Sequence, residues 1–149
     1  MIVTAQLLDA KKLTEIALQS KAHWGYSAAQ IESWKEELTI TPKMFEDRII
    51  YKYLIDTEIT GFYILEKRQP CTAFLAFLFV SPKFIQQGFG KQLIAHAIDY
   101  SRRNKYDLLK VLSDPNAVGF YKKYGCKVIS QKQSSIPGRF LPEMELSLI

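Results

Sequence analysis

The sequence has few of the residues that mark secreted, metal-binding or membrane-spanning proteins. Two of its 149 residues are cysteines, and Cys71 and Cys126 lie too far apart for a C-x-x-C zinc or redox motif. The longest uninterrupted apolar run, Ala73 to Val80, is too short to cross a bilayer. No basic stretch precedes an apolar one near Met1, so we expect no signal peptide. These absences predict a cytoplasmic protein without a disulfide framework or a metal site.

Charge of neither sign is concentrated in one part of the chain. The 20 basic and 15 acidic residues give a net charge of +5, and the basic residues are scattered. This pattern favours a solvated surface over the basic stripe of a nucleic-acid-binding protein. A hydrophobic fraction of 48% is typical of a globular chain. We therefore expect residues 1–149 to form a single domain that binds neither nucleic acid nor a membrane.

The first 48 residues predict a strand followed by helices. Residues 2–8 form the strand, and Asp9 is a suitable cap for the first helix. Ser27 caps a second helix, whose apolar residues fall three and four apart, and a short third helix follows Pro42. The residues predicted to face the core from the first helix are Leu13, Ile16, Ala17 and Ser20.

The middle of the chain predicts an antiparallel meander followed by a crossover. The meander strands are Ile49 to Ile55, Ile59 to Glu66 and Thr72 to Val80, and short turns connect them. A helix with its apolar residues three and four apart comes next, and Leu108 to Leu112 then form a strand. The last meander strand, this helix and this strand should form a right-handed parallel crossover.

The last third of the chain completes the predicted fold. Asp114 caps a helix that ends at Gly125, and two further strands follow, from Cys126 to Gln131 and from Glu143 to Leu148. The predicted fold class is α/β (α+β). Its central sheet is mixed and mostly antiparallel, is flanked by helices, and contains one parallel β-α-β crossover.

The stretch from Val80 to Leu93 predicts a binding site for a phosphate. An apolar strand enters it, Gly88 and Gly90 lie in its turn, and a helix leaves it. Backbone N–H groups at the start of a helix point at a ligand, and the helix dipole favours negative charge there. Two nucleotide-binding motifs do not fit, because a P-loop needs glycine at Lys83 and a dinucleotide fingerprint needs glycine at Leu93.

Two motifs follow one another in a recognisable order. The first is Gln87-Gly88-Phe89-Gly90 after Val80-x-Pro82, and the second is Asp114–Gly125, in which Tyr121 precedes the final glycine by four residues. Together they resemble the GNAT superfamily of acyl-CoA-dependent N-acetyltransferases. The predicted order β-α-α-β-β-β-α-β-α-β-β extends this resemblance over essentially the whole chain. The segment Ser135–Pro142 is similar to one bacterial branch of these enzymes.

The resemblance implies acetyl-CoA as the cofactor, with CoA as the product. Backbone amides from Gln86 to Lys91 would bind the CoA pyrophosphate. The N–H of Val80 would stabilise the oxyanion of the thioester, and Tyr121 would protonate the departing thiolate. The residues implied to contact the cofactor are Phe79, Val80, Gln86, Gln87, Gly88, Phe89, Gly90, Lys91, Asp114, Asn116 and Tyr121.

Four features depart from the family pattern. Ile85 stands where the family has Gln or Arg, which leaves phosphate binding to backbone amides. Asp114 replaces an Asn and cannot donate a side-chain hydrogen bond when ionised, so we expect Asn116 to take part of that role. Cys126 replaces a Phe, which predicts a change in packing. The strand Thr72–Val80 lacks the Glu that many relatives use as a base.

The resemblance also implies an acceptor site near the first two helices. His23 is a candidate base because a histidine titrates near neutral pH, and Glu143, Glu145 and Glu66 are the alternatives. Arg139 is a candidate to bind an acceptor carboxylate, or else it is a solvated loop cation. Aromatic residues in this region either line the acceptor pocket or form a hinge packed on the sheet. They are Trp24, Tyr26 and Trp34.

We therefore predict an N-acetyltransferase that moves an acetyl group from acetyl-CoA to an amine by direct attack in a ternary complex. The missing strand glutamate keeps open an alternative, a non-catalytic CoA-binding or regulatory module. The predicted partner is a small-molecule amine or a peptide amine, and a homodimer is left open. We expect no cysteine acyl-enzyme, because neither Cys71 nor Cys126 has an evident activating partner.

Overall fold

The computed structural model contains both helices and strands and describes residues 1–134 and 136–149. Ser135, the first residue of the Ser135–Pro142 segment, lies outside the described residues. The helices are α1 (Ala10–His23), α2 (Ala28–Leu38), α3 (Met44–Asp47), α4 (Phe89–Arg103) and α5 (Val118–Lys123). The strands are β1 (Ile2–Thr4), β2 (Ile49–Ile55), β3 (Glu58–Arg68), β4 (Thr72–Val80), β5 (Leu108–Leu112), β6 (Lys127–Gln133) and β7 (Phe140–Ser147).

The strands form a seven-stranded sheet with the order β1-β2-β3-β4-β5-β7-β6. The β4–β5 pair is parallel, with α4 connecting its two strands. The β1–β2, β2–β3, β5–β7 and β6–β7 pairs are antiparallel. The predicted fold class, a mostly antiparallel mixed sheet with helices and one parallel crossover, is confirmed.

The chain divides into two compact units. The first consists of Met1–Leu65 and Phe77–Ala97, and the second consists of Glu66–Ala76 and Ile98–Ile149. Strands β3 and β4 contribute residues to both units. The single domain inferred from the sequence stays a prediction.

In the first unit, α1 buries the predicted apolar face. Leu13, Ile16 and Ala17 are fully buried, and Ser20 is 8% exposed. The second helix begins as predicted, because the Ser27 side chain accepts a hydrogen bond from the Gln30 N–H in a capping box. The buried face of α1 and the start of α2 therefore follow directly from the sequence pattern.

The start of the first unit differs from the prediction in two ways. Strand β1 ends at Thr4 rather than at residue 8, because Leu7–Asp9 form a 3-10 turn. Asp9 stands before α1 but makes no side-chain capping bond to it. Its Oδ2 instead accepts hydrogen bonds from the Gln6 N–H at 2.8 Å and from Lys52 Nζ at 2.7 Å. The carboxylate therefore caps the 3-10 turn and pairs with a nearly buried lysine.

The second unit has its core on β5 and β7. Leu109, Val111 and Met144 are buried there. The predicted helix after Asp114 is divided into a 3-10 turn, Pro115–Ala117, and the short helix α5. Beyond α5, Gly125 has a φ of +95°, as expected of the residue that ends a helix in the left-handed region.

The last two strands differ from their predicted bounds at both ends, and each extends beyond the prediction at one end. Strand β6 begins at Lys127 and continues to Gln133, and β7 begins at Phe140. Most residues of β6 are exposed, because it is the last strand of the sheet order. In the described part of the chain, every helix is too short or too polar to cross a membrane.

Candidate active site

The end of β4, in the first unit, is held by hydrogen bonds to α1 and to β3. Ser20 Oγ, from α1, donates a hydrogen bond of 2.6 Å to the Val80 carbonyl. The next N–H, that of Ser81, donates to the Thr60 carbonyl at 2.8 Å. These two bonds hold both polar groups of the peptide unit that joins Val80 to Ser81. The sequence predicted Ser20 only as a core residue and did not identify Thr60.

A glycine of β3 lies directly against the same strand end. A Cβ atom placed on Gly61 would lie 2.8 Å from the Phe79 carbonyl oxygen and 3.3 Å from Val80 Cα. Real Cβ atoms do not approach backbone atoms so closely, so only glycine fits here without displacement. A glycine inside an otherwise apolar strand was the sequence signal for this close approach.

The loop after β4 adopts two left-handed backbone conformations. Residues Pro82–Phe84 form a 3-10 turn, Gln86 has a φ of +63°, and Gly88 has a φ of +84°. Helix α4 then begins at Phe89, and its first turn is closed by a hydrogen bond from the Gln92 N–H to the Gly88 carbonyl at 3.1 Å. The first N–H groups of a helix have no partner within it, so this geometry suits an anion.

The side chains of this loop divide into exposed and buried ones. Gln86, Gln87 and Lys91 are exposed, whereas Phe89 is 9% exposed and its ring centroid lies 4.7 Å from that of Tyr53. The phenyl ring therefore anchors the start of α4 to the core. Any contact of Phe89 with a cofactor would come from its backbone. Gly90 is the second residue of α4.

In the second unit, Asp114 organises the turn before α5. Its Oδ1 accepts hydrogen bonds from the Asn116 N–H at 2.9 Å and from Asn116 Nδ2 at 3.0 Å. Its Oδ2 lies 3.3 Å from Arg139 Nη2 in a largely buried ion pair. Arg139 is therefore bound to a neighbouring carboxylate and is not a solvated cation.

Tyr121 lies on α5 and is 6% exposed. Its ring packs edge-on against Phe120 with the centroids 5.2 Å apart. Burial strongly raises the pKa of the Tyr121 phenol, and the nearby Cys126 and Asp114 raise this pKa further. The phenol therefore keeps its proton at physiological pH, so it can donate a proton there but cannot act as a phenolate base. Burial also raises the pKa of the Cys126 thiol, which disfavours a thiolate nucleophile.

The aromatic residues around α1 and α2 do not form one cluster. Tyr26 and Trp34 meet edge-on with ring centroids 4.8 Å apart, and Trp34 is 5% exposed. Lys21 Nζ lies 5.4 Å from the Trp34 ring centroid, within the range of a cation–π contact. His23 and Trp24 are exposed at the end of α1. The hinge interpretation therefore fits Tyr26 and Trp34, whereas His23 and Trp24 are accessible.

The three glutamates considered as alternative bases lie on strands, and two of them bind a neighbouring side chain. Glu143 Oε1 accepts a hydrogen bond from Ser130 Oγ at 3.0 Å, and Glu66 pairs with Arg68 at 3.1 Å. Glu145 lies on β7 in register with Lys110 and Lys127. Within residues 1–134 and 136–149, no cluster of His, Cys, Asp or Glu could hold a metal ion.

A tyrosine–histidine pair that the sequence did not reveal connects α4 to β3. The Tyr63 hydroxyl and His96 Nδ1 are 2.7 Å apart, and the His96 ring lies 4.7 Å from that of Tyr51. Tyr63 is fully buried on β3. The pair joins the middle of α4 to the sheet within the first unit, and no sequence motif indicated it.

Comparison with known proteins gives consistent matches over nearly the full length. Residues 10–148 match the family described as the acetyltransferase (GNAT) domain. Peptidyl-lysine N-acetyltransferase YiaC of Escherichia coli (strain K12) is 25% identical over 143 residues, which cover 92% of each chain. The crystal structure of PaiA N-acetyltransferase from Thermoplasma acidophilum in complex with coenzyme A superposes with a TM-score of 0.80 at 25% identity, covering 99% of this chain and 98% of that one. The ribosomal-protein-S18-alanine N-acetyltransferase of Escherichia coli has the same fold, with a TM-score of 0.75 at 19% identity over 99% of this chain and 93% of that one.

Proposed function

Because the chain belongs to the GNAT acetyltransferase family, which its match over residues 10–148 shows, we propose a specific division of labour among its residues. Membership confirms the predicted enzyme class, an N-acetyltransferase that takes its acetyl group from acetyl-CoA and passes it to an amine. The proposal concerns the atoms that perform this transfer, the acceptor amine and the base. A cytoplasmic location and a homodimer stay predictions from the sequence.

The observation that carries the proposal is the direction of the Val80 N–H. The Ser81 N–H donates to Thr60 of β3, so in an extended strand the neighbouring Val80 N–H points away from β3. Strand β4 pairs with β5 only over Thr72–Leu75 among the described residues, and it continues to Val80. The Val80 N–H is therefore directed to an edge of β4 where a thioester carbonyl could bind. A donor fixed in this way stabilises the oxyanion without having to reorient.

The loop after β4 supports pyrophosphate binding through the main chain. The left-handed conformations at Gln86 and Gly88 turn the chain directly before α4. Amides at the start of α4, a helix of 15 residues, then present partial positive charge to an anion. The exposed Lys91 adds a cation at the same helix start. We assign Phe79 and Val80 to pairing with the pantetheine arm.

Tyr121 is proposed to protonate the departing CoA thiolate. Its burial keeps the phenol protonated, so the proton is present when the thiolate departs. The Asp114–Arg139 pair and the Asn116 bonds hold the turn that precedes α5. We assign Asp114 and Asn116 to this supporting role and to cofactor contact from the same turn.

The acceptor is proposed to enter beside the end of α1. His23 and Trp24 are exposed there. His23 follows Ser20 by three residues, so the two lie on one face of the helix, and Trp24 is the residue directly after its end. Since Ser20 bonds to Val80, this face leads from the end of β4 to His23. We propose His23 as the base, directly or through water, because it is exposed and lies in the same compact unit as Val80.

A peptide lysine is the first acceptor to test, since YiaC is named for acetylating peptidyl lysine. The experiment follows CoA thiol release from acetyl-CoA with a lysine peptide, a peptide that has only a free amino terminus, and a panel of small amines. We expect steady release with at least one acceptor. Mass spectrometry of the peptides identifies the acetylated nitrogen.

A His23→Gln variant tests the proposed base in the same assay. We expect kcat to fall about 100-fold at pH 7, in the range typical of a lost general base, and the fall to shrink as the pH rises and free amine becomes abundant. His96→Gln replaces the other of the two histidines and serves as the matched control. Equal activity of the two variants would exclude His23 as the base.

The alternative, a non-catalytic CoA-binding module, is favoured by one observation. Strand β4 contains no glutamate, the residue that many relatives use as a base. Under this alternative, calorimetry detects acetyl-CoA binding while every acceptor in the panel leaves thiol release at the background rate. The two functions therefore give opposite results in one assay.

A further inference from the structure

We infer that Ser20 is a positioning residue, whose hydroxyl fixes the Val80 peptide for acyl transfer and ties the acceptor end of α1 to it. This inference rests on the proposed function, because it concerns the Val80 N–H assigned above. Nothing in the sequence pattern distinguished Ser20 from the other residues on the buried face of α1. The structure separates it from them by a single hydrogen bond that spans 60 residues of sequence.

The bond that Ser20 makes is unusual for a serine inside a helix. Such a hydroxyl commonly returns to the carbonyl four residues earlier in its own helix, and Thr14 on the same helix does so, donating to the Ala10 carbonyl at 2.9 Å. Ser20 is only 8% exposed, and its Oγ instead donates to the carbonyl of Val80 at 2.6 Å. This bond therefore supports the end of β4 and does not stabilise α1 locally.

The opposite side of β4 is also held, by an irregularity in β3. In the β2–β3 register, Tyr53 pairs with Gly61 and Leu54 pairs with Ile59, so Thr60 is an extra residue in a β-bulge. Thr60 is fully buried, and its carbonyl accepts the Ser81 N–H. A bulge of this kind redirects one peptide group away from the regular ladder. Here the redirected group is bound to the residue that follows Val80.

The two contacts fix one peptide plane from both sides. The Val80 carbonyl and the Ser81 N–H belong to the same planar unit, and they point in opposite directions. Ser20 binds the first group and Thr60 binds the second. The Val80 N–H belongs to the preceding plane, which joins Phe79 to Val80, and the two planes share the Val80 Cα. Holding the second plane therefore restrains this Cα and the strand end that carries the N–H. Gly61 restrains the preceding plane directly, because the Phe79 carbonyl oxygen would lie only 2.8 Å from a Cβ atom placed on Gly61.

The Ser20 hydroxyl has a second effect on the edge of β4. In an extended strand the N–H and carbonyl of one residue point to the same side, so the Val80 carbonyl faces the edge to which we assign the thioester. A carbonyl that faces a developing oxyanion would repel it and would compete for the acceptor's protons. Because Ser20 donates to this carbonyl, the hydroxyl reduces its negative potential beside the proposed oxyanion donor.

The first part of the test compares two hydroxyl deletions on α1. Ser20→Ala removes the bond to Val80, and Thr14→Val removes a hydroxyl that accepts the Ile40 N–H at 2.9 Å. We expect Ser20→Ala to lower kcat about tenfold, the effect of roughly one hydrogen bond in the transition state. We expect its KM for acetyl-CoA to change by less than about twofold, as the pyrophosphate loop is untouched. Thr14→Val should lose stability without this fall in kcat.

Conservative replacement gives a second comparison. Ser20→Cys keeps the size of the side chain approximately and replaces the hydroxyl with a weaker donor. We expect its kcat to lie between those of the wild type and Ser20→Ala. Thermal unfolding of all variants is recorded, and kcat is measured well below the lowest midpoint, so that unfolding does not contribute. Equal kcat in Ser20→Ala and Thr14→Val would overturn the positioning role.

A binding measurement separates this inference from the proposed function. Acetyl-CoA labelled with 13C at the thioester carbonyl reports hydrogen bonding to that carbonyl in the NMR spectrum, without any acceptor present. We expect a downfield shift on binding to the wild type and a smaller shift with Ser20→Ala. If the wild type shows the shift but transfers acetyl to no amine, the proposed acyl transfer is contradicted and the positioning role of Ser20 is supported. If the shifts of the wild type and Ser20→Ala are equal, the positioning role of Ser20 is contradicted and the proposed acyl transfer is unaffected.

Discussion

The two segments assigned to acetyl-CoA are constructed in opposite ways. In the first unit, the loop before α4 exposes the side chains of Gln86 and Gln87 and gains its shape from left-handed backbone conformations. In the second unit, the Asp114–Gly125 segment buries Tyr121 and holds Asp114 in an ion pair with Arg139. The first segment therefore depends on main-chain geometry, and the second depends on particular side-chain atoms. Substitutions should affect the two segments differently.

The largest expected effect is loss of the Tyr121 hydroxyl. Tyr121→Phe keeps the buried ring that packs on Phe120, so the fold is preserved while the proton donor is lost. We expect kcat to fall at least about 100-fold, in the range of general acid catalysis, with acetyl-CoA affinity nearly unchanged by calorimetry. Tyr124→Phe, which removes a hydroxyl three residues later on a less buried side chain, is the control. Unchanged turnover in Tyr121→Phe would contradict the assignment.

A methyl group at Gly61 tests the main-chain character of the first unit. Gly61→Ala places Cβ 2.8 Å from the Phe79 oxygen and 3.0 Å from Leu93 Cδ1. We expect the free energy of unfolding in urea to fall by about 1–3 kcal/mol, as for an overpacked core. Gly119→Ala on α5 is the matched control, since apart from its chain neighbours and the adjacent helix backbone no described atom lies within 4 Å of its Cβ position. That substitution should raise the free energy of unfolding by about 0.5–1 kcal/mol through helix propensity. A loss at both glycines would show that the contact at Gly61 is not the cause.

Alkaline pH tests the side-chain character of the second unit. Burial raises the pKa of Tyr121 from its ordinary value of 10.0. The unfolded chain then releases the phenol proton above about pH 10 while the folded chain keeps it. Stability from this group is thus complete below pH 10, and it declines by about 1.4 kcal/mol per pH unit above it. Tyr121→Phe should have a shallower decline in urea unfolding between pH 10 and pH 11. Parallel curves for the two proteins would contradict this prediction.

The smallest expected effects concern the loop before α4. Gly88 has a φ of +84° and open space around its Cβ position, so Gly88→Ala adds only conformational strain. We expect a loss of about 1 kcal/mol in the free energy of unfolding and weaker acetyl-CoA binding. Gln86 adopts a φ of +63° with a full side chain, so Gln86→Gly should have the opposite sign and stabilise the free protein slightly. Effects of the same sign at both positions would show that left-handed strain does not govern this loop.

The sequence pattern correctly predicted the elements whose structure depends on local sequence. Strands β2, β4 and β5 have their predicted bounds, and the buried face of α1 consists of the predicted residues. These elements follow from alternation, from helical spacing and from caps such as Ser27. The bounds of β1 were wrong because a local 3-10 turn follows it, and β7 begins before its predicted start because Phe140 pairs with Gln133 of β6. Asp9 was wrong as a cap of α1 because Lys52 and Gln6 compete for its carboxylate.

The candidate site divides in the same way between predictable and unpredictable parts. The glycine loop and Tyr121 could be found because each belongs to a short motif with fixed spacing. Ser20 and Thr60 could not be found, because each acts through a backbone group 60 or 21 residues away in sequence. Arg139 was located correctly in its loop, but its ion pair with Asp114 depends on the folded chain. Contacts between distant segments leave no pattern in a single sequence.

The contrast between the two tryptophans has an optical consequence. Trp34 is 5% exposed and packs against Tyr26 beneath Lys21, whereas Trp24 is 50% exposed at the end of α1. The chain has no other indole. A buried indole emits at shorter wavelengths than a solvent-exposed one, so the intrinsic fluorescence should contain two separable bands. Iodide should quench the longer-wavelength band, and an acceptor bound beside Trp24 should protect it. The shorter-wavelength band should persist until the first unit unfolds, so one unlabelled sample reports both occupancy and folding.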